Sequence, residues 1–176
     1  PAATLAESCY FSMFNNCESL KQAPELPATT LAKECYALMF IGCSGLTSAP
    51  ELPVTTLADG CYRSMFWDCD YLESAPELPA FTMTDAYYRE MFRGCVKLAE
   101  APVLPATTLA ESCYSGMFYG CTGLTSAPAL PARNLPTYCY SEMFYGCTGI
   151  ALSATRTGSY QNEYRIPSDG TAGTVG

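Results

Sequence analysis

The dipeptide Leu-Pro stands at 26–27, 52–53, 78–79, 104–105 and 130–131, and Met-Phe at 13–14, 39–40, 65–66, 91–92, 117–118 and 143–144. A constant step of 26 residues, held over six units, means that no unit can bury a core alone and each must stack on its neighbours. The stretch CYSGMFYGCTGL at 113–124 has two thiols and three glycines and could pass for a metal knuckle or a redox motif. It occurs in variant form in every unit, and a catalytic or metal site needs one copy. It is therefore read as scaffold.

Within each unit the pattern predicts one short helix and one very short strand. Thr4, Thr30, Thr56, Thr82, Thr108 and Asn134 are residue types that cap helix N-termini. Three residues on stand Glu7, Lys33, Asp59, Asp85, Glu111 and Thr137, of which four are acidic, an approximate capping box. Asn16, Gly42, Asp68, Gly94, Gly120 and Gly146 tolerate the left-handed conformation that ends a helix. Between these signals Leu5, Cys9 and Met13 fall at i, i+4 and i+8, one face that Phe14 extends. Segments such as Leu46-Thr-Ser-Ala-Pro50 and Leu124-Thr-Ser-Ala-Pro128 suit a strand closed by proline. The expected fold class is α/β, a solenoid over residues 1–150.

The stretch MFYGCTGLTSAP resembles the BspA-like leucine-rich repeats of bacterial surface proteins, in the branch whose units carry a Met-Phe-x-Gly-Cys-x-x-Leu core. The resemblance covers residues 1 to about 150. It implies a right-handed, horseshoe-like leucine-rich-repeat solenoid in a secreted or surface-anchored protein, whose members are implicated in adhesion to host proteins or other cells. Leu-Pro-Ala-Thr-Thr replaces the shorter Ile-Pro link of many members, which bears on curvature.

Composition narrows the function. A formal charge of −8 with nine Lys and Arg is the wrong sign for a nucleic-acid partner or an anionic membrane surface. No His is present, which removes the commonest general base and zinc ligand. No apolar run is long enough for membrane insertion. The start at Pro1, inside the repeat pattern, suggests a processed product or an excised piece. After Ile150 the pattern fails, and the Gly/Ser/Thr-rich 151–176 is expected to be a cap and linker or the start of a truncated module.

Two cysteine ladders run through the units: Cys9, Cys35, Cys61, Cys113 and Cys139, with Tyr87 in the vacant slot, and Cys17, Cys43, Cys69, Cys95, Cys121 and Cys147. An odd total of 11 and a C-x7-C spacing favour buried free thiols over disulfides or a metal site. Neither a metal nor a cofactor is expected. Tyr10, Tyr36, Tyr62, Tyr88, Tyr114 and Tyr140 form a third ladder, read as a stack with its hydroxyls at the surface, or as an aromatic platform.

Binding residues are sought where the units differ. Positions equivalent to 11, 12 and 15 should lie on the exposed helical face, where large aromatics and Arg are not explained by solubility. Arg63, Trp67, Tyr71, Arg89, Arg93, Tyr119 and Tyr145 are the candidates, with Lys97 nearby. The rival surface is the strand side, where Glu25, Glu51 and Glu77 repeat in register beside Glu73 and Glu100; solvated glutamates are favoured there over a calcium-bridged ladder. No nucleophile, base and orienting group recur at a recognisable spacing, so no enzyme is expected. The reading is a binding or adhesion module, extracellular or at the cell surface, for a host or cell-surface protein or glycan, with end-to-end self-association possible. The alternative is a spacer within a larger adhesin or phage appendage.

Overall fold

The computed structural model describes residues 3–52, 56–78, 80, 82, 83 and 86–150. The expected cap and linker at 151–176, Pro53 and Pro79 of the Leu-Pro steps, and the capping-box position Asp85 lie outside the described residues.

The units, starting at Pro1, Pro27, Pro53, Pro79, Pro105 and Pro131, are coils one to six of a stacked array. In the described residues no coil contains an α-helix or an extended strand, which overturns the α/β leucine-rich-repeat architecture of one short helix and one short strand per unit. The strand side is reduced to isolated parallel bridges, Gln22 to Ser48 and Ser48 to Ser74. Thr4 bridges Thr30 and Thr82 bridges Thr108, so the expected helix caps pair with the next coil instead.

The expected helix is a run of β-turns. Phe11, Met13, Asn15 and Cys17 N–H groups donate to the carbonyls three residues back, at 3.0–3.3 Å. The alternate N–H groups, of Tyr10, Ser12, Phe14 and Asn16, donate to Cys35, Ala37, Met39 and Ile41 of coil two at 2.8–3.0 Å. Ser8, Ser12 and Asn16 have φ of 53°, 55° and 57°, so turns with a left-handed third residue alternate with turns that have none. This pattern recurs along the stack.

Spacing explains why turns replace helix. The Phe rings of successive coils stack at 5.4–5.8 Å and the Tyr rings at 5.6–6.1 Å. Packed helices need about 8–10 Å. A flattened chain that sends every second N–H to its neighbour fits the shorter interval, and the Cys, Tyr, Phe, Ser and Gly of this segment are weak helix formers.

The core is built of columns, one residue from each coil. Tyr36, Met39, Phe40, Cys43 and Leu46, with their equivalents in coils three to five, are buried. Tyr87 fills the missing cysteine slot and is buried as well. The carbonyls of Phe14, Phe40, Phe66, Phe92 and Phe118 each accept twice: from their own coil's cysteine N–H, as Cys17 to Phe14 at 3.0 Å, and from the next coil's thiol. The thiol bonds are Cys43 to Phe14, Cys69 to Phe40, Cys95 to Phe66, Cys121 to Phe92 and Cys147 to Phe118, at 2.9–3.1 Å. Cysteine supplies a small apolar volume and a weak donor together.

Eight thiols are buried as expected, Cys147 is half-buried, and Cys9 and Cys17 are exposed on coil one, which has no described coil before it. The tyrosine hydroxyls depart from expectation. Tyr88 and Tyr114 are wholly buried, and among the described residues the Tyr114 Oη makes no hydrogen bond, so the ladder is part of the core and not a surface seal.

Candidate functional site

The turn geometry decides which of the variable positions reach solvent. Positions equivalent to 12 are left-handed turn residues, and Ser64 and Gly116 are buried among them. Ala37, equivalent to 11, is buried too. The expected exposed face therefore loses part of its position-12 column, while position 11 still reaches solvent at Phe11 and Arg89 and in part at Arg63, and beside it runs the column through position 15: Asn15, Ile41, Trp67, Arg93, Tyr119 and Tyr145.

Along that column four of the candidates meet. The Arg93 guanidinium carbon lies 3.9 Å from the centre of the Tyr119 ring and 4.9 Å from that of Trp67. Tyr119 stacks on Tyr145 at 4.7 Å, with planes 20° apart. The result is a continuous ribbon, Trp67–Arg93–Tyr119–Tyr145, half-buried except at Tyr145, which is 62% exposed. Offset rings and a guanidinium plane attract one another by about 0.5–1.5 kcal/mol per contact, so the ribbon is held together by its own contacts.

Carboxylates surround it. Glu90 lies 3.5 Å from Arg93 and 3.9 Å from Arg89, and accepts a 3.4 Å hydrogen bond from the Ser64 hydroxyl. Arg63 pairs with Glu34 at 3.1 Å. Burial, then the charge of Asp70, raises the Asp68 carboxyl above its usual value, while Arg93 and a hydrogen bond from Trp67 oppose the rise. Arg63 and Arg89 thus flank the ribbon as members of ion pairs. Tyr71 is exposed on the segment after the turns and has no ring contact with the ribbon among the described residues. Glu34 and Glu90 were missed by sequence reasoning; their spacing of 29 and 26 residues from Arg63 and Ser64 was the available signal.

On the other side Glu25, Glu51, Glu77, Glu73 and Glu100 are all exposed. Glu25 and Glu51 line a groove of about 500 Å³ with Pro24, Leu26, Pro27 and Pro50. Glu77 lines another, of about 420 Å³, with Pro76, Leu78, Pro102, Val103 and Pro105. Val103 occupies the glutamate column and is 79% exposed, so this face turns from acidic to apolar along the stack. Among the described residues no three His, Cys, Asp or Glu side chains converge as a metal-ion group would require.

Compared with known proteins, the sequence matches no family model and no curated protein. It is similar in structure to a leucine rich cell surface protein of Faecalibacterium prausnitzii A2-165, with a TM-score of 0.43 and 18% identity over 74% of this chain. The chain spans 30% of that protein's length. A likeness at that level fixes neither the fold nor the role of this chain. No helix of the described residues is long and apolar enough to cross a membrane.

Proposed function

We propose that the chain is a non-catalytic binding module of a secreted or cell-surface bacterial protein, and that the ribbon Trp67–Arg93–Tyr119–Tyr145 contacts a protein or glycan partner. The observation that carries this reading is the contrast between columns. Buried columns repeat nearly the same residue in each coil, whereas the position-15 column changes type and gathers Trp, Arg and Tyr, the residues enriched in binding hot spots. Stacked planar groups with polar edges suit a sugar ring or the flat face of a partner. The surface location rests on the resemblance of the repeat to bacterial surface proteins, and the acidic charge of −8 speaks against nucleic acid.

The test is binding of the purified chain to extracellular-matrix proteins and glycans, beside a Trp67→Ala, Arg93→Ala double variant with an unchanged melting profile. Binding lost in the variant supports the ribbon. Retained binding moves the site to the glutamate face, and no binding by either chain favours a spacer.

A further inference from the structure

Apolar grooves and unbalanced charge coincide on the strand side. Prolines at 24, 50, 76 and 102 have no N–H to give a neighbouring coil, and hollows open beside them. The one between coils one and two, of about 500 Å³, is walled by Ala23, Leu26 and the rings of Pro24, Pro27 and Pro50. It recurs at about 420 Å³ beside Pro76, Leu78, Pro102 and Val103 of coils three and four, which have a described coil on either side. Its openness therefore belongs to the repeat and not to the first coil.

The charge around these hollows has one sign. Segments 20–28, 46–52, 72–78, 98–106 and 124–132 hold Glu25, Glu51, Glu73, Glu77 and Glu100 against a single cation, Lys21. None of the five makes an ion pair among the described residues, whereas Glu34 and Glu90 on the turn side are paired with arginine. Glu25, Glu51 and Glu77 share one column, where like charges repel. The next residue in that column is the exposed Val103.

We propose that this face docks an extended cationic segment of a partner protein, laid along the stack with basic side chains on Glu25, Glu51 and Glu77 and an apolar one in the groove at Val103. Charge complementarity selects the occupant, because the chain itself supplies nothing to neutralise the column. Spacing agrees with it. Successive coils step by 5.4–6.1 Å, as the ring columns show, and an extended peptide places a side chain on the same side about every 6.6 Å. Long basic side chains take up the difference. The pattern recognised is basic-x-basic-x-basic-x-apolar. This site is separate from the ribbon, and neither depends on the other.

The test is fluorescence anisotropy of the full chain with a labelled peptide, Arg-Ser-Arg-Ser-Arg-Ser-Val, at low salt. The expected result is saturable binding of one peptide per chain that weakens as salt rises, and weakens also when the valine becomes serine or the arginines are made contiguous. Glu51→Gln and Glu77→Gln, at exposed positions, should each weaken it by about two- to fivefold. Glu111→Gln, an exposed change of equal charge on the turn side, and the Trp67→Ala, Arg93→Ala double variant should bind as the unmodified chain does. Equal loss with Glu111→Gln, or indifference to the arginine spacing, would mean charge attraction without a docking site and would overturn the proposal. So would self-association of the chain that Glu51→Gln abolishes, since the occupant would then be a second copy.

Discussion

Gly120 and Gly123 stand three residues apart in the same coil, and the structure gives them opposite reasons for being glycine. Gly120 has φ of +74°, and a Cβ there would meet nothing closer than the Gly94 backbone at 3.9 Å. Gly123 has an ordinary φ, but its Cβ would lie 2.5 Å from the Val96 carbonyl oxygen and 3.3 Å from that of Leu98. Substitution at 120 therefore costs conformation, about 1–2 kcal/mol for a β-carbon in the left-handed region, reduced by the lower entropy of the unfolded chain. Substitution at 123 costs space against backbone, about 1–3 kcal/mol. Asparagine separates the two, because it enters the left-handed region readily and already stands in that column at Asn16 with φ of 57°. The expected order in urea midpoints, at unchanged slope, is that Gly120→Asn is milder than Gly120→Ala, while Gly123→Asn is at least as damaging as Gly123→Ala. The position-19 column shows how the second loss is contained. Where it holds Gly45, Gly123 and Gly149, the preceding N–H donates two residues back, as Thr122 to Gly120 at 2.8 Å. Where it holds Tyr71 and Lys97, their own N–H groups donate to Ser44 and Asp70 of the previous coil, at 3.3 and 3.2 Å. A side chain at 123 should force that second arrangement, visible as slowed exchange of the residue-123 amide and faster exchange at Thr122. Equal tolerance of asparagine at both positions would refute the reasoning.

Three further outcomes follow from the columns. Cys9 and Cys17 should react with a thiol reagent in the native state and Cys147 more slowly, the eight buried thiols only after unfolding; mass spectrometry of the labelled peptides checks this. Burial pushes the Cys43 and Cys147 thiols to about 11 and those of Cys61, Cys113 and Cys121 to about 12, against an ordinary 9.0. The unfolded chain then releases protons that the folded chain keeps, so stability is full below about pH 9 and falls above it, by roughly 1.4 kcal/mol per pH unit for each such thiol. Circular dichroism should show cooperative alkaline unfolding near pH 10, coincident with tyrosinate absorbance, and no such loss between about pH 7 and 8.5. Phe66→Ala should cost about 3–5 kcal/mol by urea unfolding, since the ring is buried between Phe40 and Phe92 at 5.6 and 5.7 Å.

The helix expectation failed for a geometric reason. The alternating turns repeat every four residues, with left-handed residues at 8, 12 and 16, so Leu5, Cys9 and Met13 share a side in this structure as they would on a helix. Periodicity of i, i+4, i+8 does not separate the two backbones. Residue type gave one of the three left-handed columns: that through Asn16 and Gly42 was legible because its members are Gly, Asn and Asp. The columns through Ser8 and Ser12 were not, since Glu34, Leu38, Glu90 and Tyr138 have φ of 51–58° without being residues that favour it. The forward hydrogen bonds compensate that strain, and they depend on the stack, which no single unit encodes. The 26-residue step, the tyrosine ladder and the burial of most thiols were readable, because identity between units marks burial. Arg93 and its neighbours Trp67, Tyr119 and Tyr145 were readable as candidates, since they stand 26 apart, but the face-to-face stacking that joins them depends on the short interval between coils.

Stacking also explains how such a column can vary without disturbing the fold. Each coil contributes one residue to each column, so a change at position 15 is felt chiefly by its two neighbours in that column. Arg93 interrupts a run of aromatics, yet its flat guanidinium keeps face-to-face contact with Tyr119, as lysine's compact ammonium would not. The substitution places a positive charge inside a ribbon on a chain of net charge −8, while Glu90 at 3.5 Å offsets part of it. A surface of this kind is altered one coil at a time, in shape and charge, over an unchanged stack of Tyr, Phe and Cys. That separation between fixed inner columns and a variable outer one suits the proposed binding role, under which diversification of partner would fall in the residues at 15, 41, 67, 93, 119 and 145.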